Sequence, residues 1–121
     1  MASKLYTVTV DCAQPRLLAA FWSKVLDYKM AYEEDDEVAI EARDGNGPAL
    51  LFLRVPDAKR VKNRIHFDLA PDHQDAEVQR LLGLGATRVN IGQGDDVTWV
   101  VLADPEGNEL CVLTPRSRDT Q

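Results

Sequence analysis

From Leu5 to Cys12 apolar and polar residues alternate, with Tyr6, Val8, Val10 and Cys12 on one side and Thr7, Thr9 and Asp11 on the other. That is the period of a strand with one buried face. The period then changes. Pro15 suits a first helical position, where its missing N–H costs nothing, and Leu17, Leu18, Phe21, Trp22, Val25 and Leu26 recur at helical spacing up to about Asp27. Three short runs follow: Lys29 to Glu33, Glu37 to Ala42, and Ala49 to Val55. They are divided by the acidic block Glu33 to Glu37 and by the Asp-Gly and Asn-Gly pairs of residues 44–47, both strong turn formers, so they predict antiparallel strands. After a basic connection at 57–64 the order begins again. Arg64 to Leu69 alternates like the first strand, and Ala76 to Leu84 carries Val78, Leu81 and Leu82 on one helical face, ended by Gly85. Further strands are predicted at Thr87 to Ile91, Val97 to Leu102 and Glu109 to Leu113, with a frayed tail beyond.

Strand, helix and three strands therefore occur twice, and the junctions match: Leu26-Asp27-Tyr28 and Leu84-Gly85-Ala86 each close a helix and open a strand. One half has too few residues to enclose a core. The pattern predicts a single α+β domain over residues 1–121. In it two βαβββ half-repeats, about 4–57 and 62–115, form a curved mixed sheet around a groove, with the helices outside.

Composition narrows the partners. A 45% hydrophobic share supports one core, and a net charge of −6 argues against a nucleic-acid partner, which needs a basic surface. The opening residues hold no continuous apolar run of the kind a leader or membrane helix needs, so the expectation is a cytoplasmic protein with no membrane association. Cys12 and Cys111, the two cysteines, sit inside apolar runs and read as buried free thiols. The block Glu33 to Glu37 reads as a solvated hairpin tip.

The segments "VDCAQPRLLAAFWSKVLDY", "VKNRIHFDL", "LLGLGATRV" and "WVVLADPEGNELCVL" resemble the vicinal-oxygen-chelate superfamily of glyoxalases, bleomycin-resistance proteins and dioxygenases, in its glyoxalase-like subgroup. The last segment resembles the superfamily's Asp-Pro-x-Gly-Asn turn before the final strand. The resemblance implies the paired βαβββ fold. It also implies that metal-dependent members take one ligand from each of four strands, commonly His or Gln on the first, Glu on the fourth, His on the fifth and Glu on the eighth. His66 matches the fifth-strand ligand. Counting back from the helix ends places Thr7 at the first-strand position, and Leu53 and Cys111 stand at the fourth and eighth. A hydroxyl is a poor substitute for imidazole on a transition metal, and leucine cannot ligate at all. The sequence therefore predicts no resident cofactor, while His66 and Cys111 are the residues that would hold a divalent metal should one bind.

Strand alternation supplies its own site residues. If Val8, Val10, Ile65, Phe67, Leu110 and Val112 face the helices, then Thr7, Thr9, Asp11, Arg64, His66, Asp68, Glu109 and Cys111 share the opposite face. His66 with Asp68 or Asp11 makes a carboxylate-oriented imidazole, the arrangement a general base requires, and reads equally as a hydrogen-bonded core pair with Arg64 neutralising an aspartate. Cys111 reads as a packed thiol, or as a nucleophile if positive charge lies beside it. Trp99, expected in the seventh strand, lines or caps the groove or joins the core. Lys59, Arg60, Lys62 and Arg64 attract an anion or form a solvated linker. Three functions are compatible with these residues. One is a binder of a small organic molecule with a degenerate metal site. Another is a small-molecule lyase, isomerase or dioxygenase, metal-dependent or metal-free, using His66 with nearby carboxylates. The third is an interaction module. A homodimer is expected in each case.

Overall fold

A computed structural model describes residues 2, 4–56, 61, 63–89 and 97–116. The chain divides into two compact units, Met1–Lys59 and Arg60–Gln121. The first contains β1 (Thr7–Cys12), α1 (Pro15–Leu26), β2 (Tyr28–Glu33), β3 (Glu37–Ala42) and β4 (Ala49–Arg54). Its sheet runs β1-β4-β3-β2, with β1 parallel to β4 and the other pairs antiparallel. The second unit repeats the order with β5 (Phe67–Leu69), α2 (Gln74–Leu84), β6 (Thr87–Arg88), β7 (Val100–Ala103) and β8 (Glu109–Val112), in a sheet running β5-β8-β7-β6. The α+β class with paired βαβββ half-repeats is the one the periodicity predicts. No helix among the described residues is long and apolar enough to cross a membrane.

In the first unit α1 lies on β2, β3 and β4. Even-numbered residues face it: Val38 pairs with Phe52 and Ile40 with Leu50, and all four are buried together with Leu18, Phe21, Trp22 and Val25 of the helix. Phe21 and Trp22 meet edge to face at 5.4 Å, the arrangement the ring quadrupoles favour. The register then puts Thr7 beside Ala49, Thr9 beside Leu51 and Asp11 beside Leu53 on the face away from the helix, as alternation requires. Tyr6 departs from the pattern. It was expected on the buried side and is 86% exposed, because β1 begins only at Thr7 and alternation has no hold outside a strand. The acidic hairpin tip is solvated as expected. Arg16 pairs there with Glu33 and Asp35, and Arg54 pairs with Asp36 and donates to the main-chain oxygens of Ala13 and Asp35.

The second unit departs further from simple alternation. β5 was expected from Arg64 but starts at Phe67, after a bend at Arg64 and Ile65, so Ile65 is 80% exposed instead of packed under the helix. β7 starts at Val100, which leaves Trp99 just ahead of the strand rather than in it. The far end of the strand predicted at Thr87 to Ile91 lies outside the described residues beyond Val89, as do Lys59, Arg60 and Lys62 of the basic connection. α2 begins two residues earlier than its apolar face suggested, and Gln74 ties that end down by donating from Nε2 to the carbonyls of Thr98 and Val112. Gly85 ends it at φ 121°, a conformation open to glycine.

The turn from β7 to β8, Asp104 to Asn108, is organised around one buried carboxylate. Asp104 Oδ1 accepts from the backbone N–H of Glu106 and of Asn108, at 2.9 and 3.0 Å, and the Asn108 side-chain amide donates to both of its oxygens. Backbone bonds between Asp104 and Asn108 and a left-handed Gly107 close the loop. Glu109 follows directly, so this turn sets where β8 begins.

Candidate functional site

Three chemically distinct donors meet on β5 and β8. His66 immediately precedes β5 and Asp68 is its middle residue, so their side chains leave the same face. Cys111 lies directly opposite Asp68 in the parallel β5–β8 ladder. One ligand atom from each residue falls within 4.8 Å of the others, and His66 Nε2 stands 3.2 Å from Asp68 Oδ1. Cys111 is 6% exposed, whereas the imidazole and carboxylate are 37% and 52% exposed. A buried sulfur with two solvent-facing partners is therefore what the i, i+2 spacing and the ladder produce together.

Glu109 sits two residues before Cys111 on the same face of β8 and is also buried. It is held by Asn63: the backbone N–H of Asn63 donates to Glu109 Oε1, and the backbone N–H of Glu109 donates to Asn63 Oδ1. Asn63 also donates from Nδ2 to Asn108 Oδ1. Sequence reasoning missed Asn63, since an amide inside a basic connection has no periodicity to mark it. Its one signal is that an amide both donates and accepts, as a paired backbone does. Arg64 is exposed in the bend before β5, and Trp99 is 39% exposed ahead of β7.

Thr7, Thr9 and Asp11 belong to β1 of the first unit. The two ladders show which residues correspond between the repeats. The N–H of Val55 donates to Cys12 O, and the N–H of Leu113 donates to Leu69 O, each at 2.8 Å. With Asp11 opposite Leu53 and Asp68 opposite Cys111, the counterpart of His66 is Thr9, not Thr7. Counting back from the helix ends went astray because the connection from β5 to α2 is two residues longer than that from β1 to α1, while α2 has 11 residues against 12 in α1. The counterpart of Cys111 is Leu53, as expected. In the first unit the triad is thus Thr9, Asp11 and Leu53.

A hollow of about 370 Å³ lies between the loop Pro71 to His73 and the side of α2 carrying Ala76, Glu77 and Arg80. Arg80 Nε and Glu77 Oε1 are 2.7 Å apart on its wall. The Arg80 hydrogen bond holds the Glu77 carboxyl below the ordinary carboxylate range, and the same bond raises the guanidinium. None of the expected site residues lines this hollow.

The Glyoxalase-like domain family model matches residues 7–113. No curated protein matches the chain. Among solved structures, a glyoxalase/bleomycin resistance protein/dioxygenase family enzyme from Burkholderia phytofirmans PsJN is similar at a TM-score of 0.71 and 16% identity, over 94% of this chain and 100% of that one. A protein from Agrobacterium tumefaciens is similar at a TM-score of 0.72 and 12% identity, over 96% of this chain and all of its own. A glyoxalase-related enzyme from Fulvimarina pelagi gives 0.69 and 12%, over 98% of this chain and 95% of that one. At these identities the structural likeness establishes the fold.

Proposed function

Because the chain belongs to the Glyoxalase-like domain family, within the vicinal-oxygen-chelate superfamily, we propose that it binds a small organic molecule at the face carrying His66 and Asp68, beside a degenerate form of the superfamily's metal site. The metal ligand set implied by the superfamily does not fit the residues present. Thr9, or Thr7 by the earlier count, offers a hydroxyl where imidazole or amide is usual. Leu53 offers hydrocarbon where a carboxylate is usual, and Cys111 replaces the carboxylate of the last strand.

The observation that carries the binding reading is the His66–Asp68 contact at 3.2 Å. A carboxylate beside Nε2 selects the tautomer with its proton there and leaves Nδ1 as the lone-pair nitrogen, an acceptor for a hydroxyl or amide of a bound molecule. Both side chains are open to solvent, so a ligand reaches them without opening the core. The same contact favours a second reading, a small-molecule isomerase, lyase or dioxygenase, in which His66 exchanges a proton with the bound molecule under orientation by Asp68.

A fragment screen followed by backbone amide shifts tests the binding reading. Hits are expected to move the amides around His66, Asp68 and Cys111, and His66→Ala is expected to weaken them about tenfold, the loss of one hydrogen bond. Hits that move only the α1 or α2 amides would overturn it. Turnover of thiol–aldehyde adducts or catechols that is lost in both His66→Ala and Asp68→Asn would select the enzyme reading.

A further inference from the structure

We infer that Asn46 is a self-modification site, at which the backbone nitrogen of Gly47 attacks the side-chain amide and the folded chain converts this residue to aspartate and isoaspartate, in the turn between β3 and β4. The turn carries none of the small-molecule site's residues.

The chemistry needs a short side-chain amide followed by a residue that leaves the next backbone nitrogen uncovered. Asn46 is the only asparagine in the sequence that precedes a glycine, and Asp44, ahead of Gly45, is the only aspartate that does. In the first step the Gly47 nitrogen bonds to Asn46 Cγ and the bond from Cγ to Nδ2 breaks. Ammonia leaves, carrying the proton that the Gly47 N–H gives up, and a five-membered succinimide remains. Water then opens the ring at one carbonyl or the other. The products are aspartate and its isomer, in which the main chain runs through the side-chain carbons. No electron changes hands, and water is the one co-reactant.

The fold leaves this pair open. Residues 43–47 are exposed. Among the described residues the Gly47 N–H donates no hydrogen bond, so none has to break before the nitrogen attacks. A Cβ placed on Gly47 would have only the Tyr28 hydroxyl within 4 Å, at 3.9 Å, so the space beside that nitrogen is clear.

The same turn closes the neighbouring pair. The Gly45 N–H donates to Ala42 O at 3.1 Å, and Asp44 Oδ1 accepts from the Asn46 N–H at 2.9 Å. Both reacting groups are engaged, and an ionised carboxylate resists attack by a nucleophile where an amide does not. Asn63 and Asn108 are held as well. Asn63 donates to Asn108 Oδ1, and the nitrogen that would attack Asn108 belongs to the Glu109 N–H, which donates to Asn63 Oδ1 at 2.8 Å. Hydrogen bonding therefore singles out Asn46.

The product remains on a folded molecule. Residues 43–48 lie between β3 and β4, outside both strands, so the extra main-chain carbon of isoaspartate is taken up in the turn while the register from Glu37–Leu53 to Ile40–Leu50 is kept. Each conversion makes the net charge of −6 more negative by one.

Incubation of the folded protein in mildly alkaline buffer, followed by ion exchange and peptide mass spectrometry, tests this against the same chain unfolded in guanidinium chloride. Acidic species are expected to accumulate with the change at Asn46, as aspartate and isoaspartate told apart by electron-transfer fragmentation. Their rate should lie within about fivefold of that in the unfolded chain, since a slowing of that size is what one protecting hydrogen bond would cause. Asp44, held by two hydrogen bonds, should isomerise at least about tenfold more slowly folded than unfolded. Asn46→Gln, at an exposed position, should remove the acidic species, because closing a six-membered ring is much slower. Acidic species that map to another residue, a greater slowing of Asn46 on folding than about fivefold, or a slowing of Asp44 no larger than that of Asn46 would each overturn the inference.

Discussion

Asp68 and Cys111 stand directly opposite one another in the parallel β5–β8 ladder, so an acidic and a sulfur donor leave the same face of one sheet. Asp11 and Leu53 hold the same relation in the β1–β4 ladder. The two half-repeats thus share a backbone and one carboxylate and differ in the residues that decide metal chemistry. Only the second has both the imidazole and the sulfur. The first repeat has a hydroxyl and a hydrocarbon at those places.

The turn at Asp104 gives a prediction about stability. Its buried carboxylate accepts from two backbone N–H groups and the Asn108 amide, and Asp104→Ala would leave those donors without their acceptor. Hydrogen bonds to a charged group contribute about 1.5–3 kcal/mol each, less what water regains, so a loss of about 2–4 kcal/mol is expected in urea unfolding. Asp104→Asn keeps one acceptor oxygen and should lose about half as much.

Phe52 locates the core of the first unit. It is fully buried and pairs with Val38 beneath α1. Phe52→Ala should cost about 3–5 kcal/mol of unfolding free energy, through lost burial and the cavity left behind. Leu51→Ala, one position along on the opposite face and half-buried, should cost clearly less. Equal losses at the two positions would contradict the assignment of faces.

Much of this architecture was legible because periodicity is a strong signal where elements are long. Leu18, Phe21, Trp22 and Val25 mark α1, and the β1, β3 and β4 faces follow from alternation around Val38, Ile40 and Phe52. The failures cluster where elements are short. β5 has three residues, too few to impose a face on Ile65, and β1 begins only after Tyr6. The match between Thr7 and His66 failed for another reason: loop and helix lengths drift between the repeats while the ladder register does not. His66, Asp68 and Cys111 were readable as a group, since i, i+2 spacing and a known strand pairing suffice to bring them together. Asn63 was not, because its part depends on the path of a connection.

Acid should affect α2 through Glu77 in a definite direction. Arg80, one turn along, holds the Glu77 carboxyl below its ordinary value, so the folded state favours the charged form. A depressed carboxylate contributes stability in full above its unfolded value, about pH 4.3, and loses it as pH falls through the lower folded value. Glu77→Gln should therefore destabilise the protein near neutral pH and become indistinguishable from the unmodified chain in strong acid. An i, i+3 pair contributes about 0.2–0.5 kcal/mol, and a charge near the start of a helix adds a similar amount. With Arg80 partly open to solvent the total should stay below about 1 kcal/mol. Urea unfolding of both proteins at neutral pH and again well below pH 4.3, about where carboxylates protonate, measures the difference. A gap that widens on acidification would reverse the assignment of Arg80 as the group that keeps Glu77 charged.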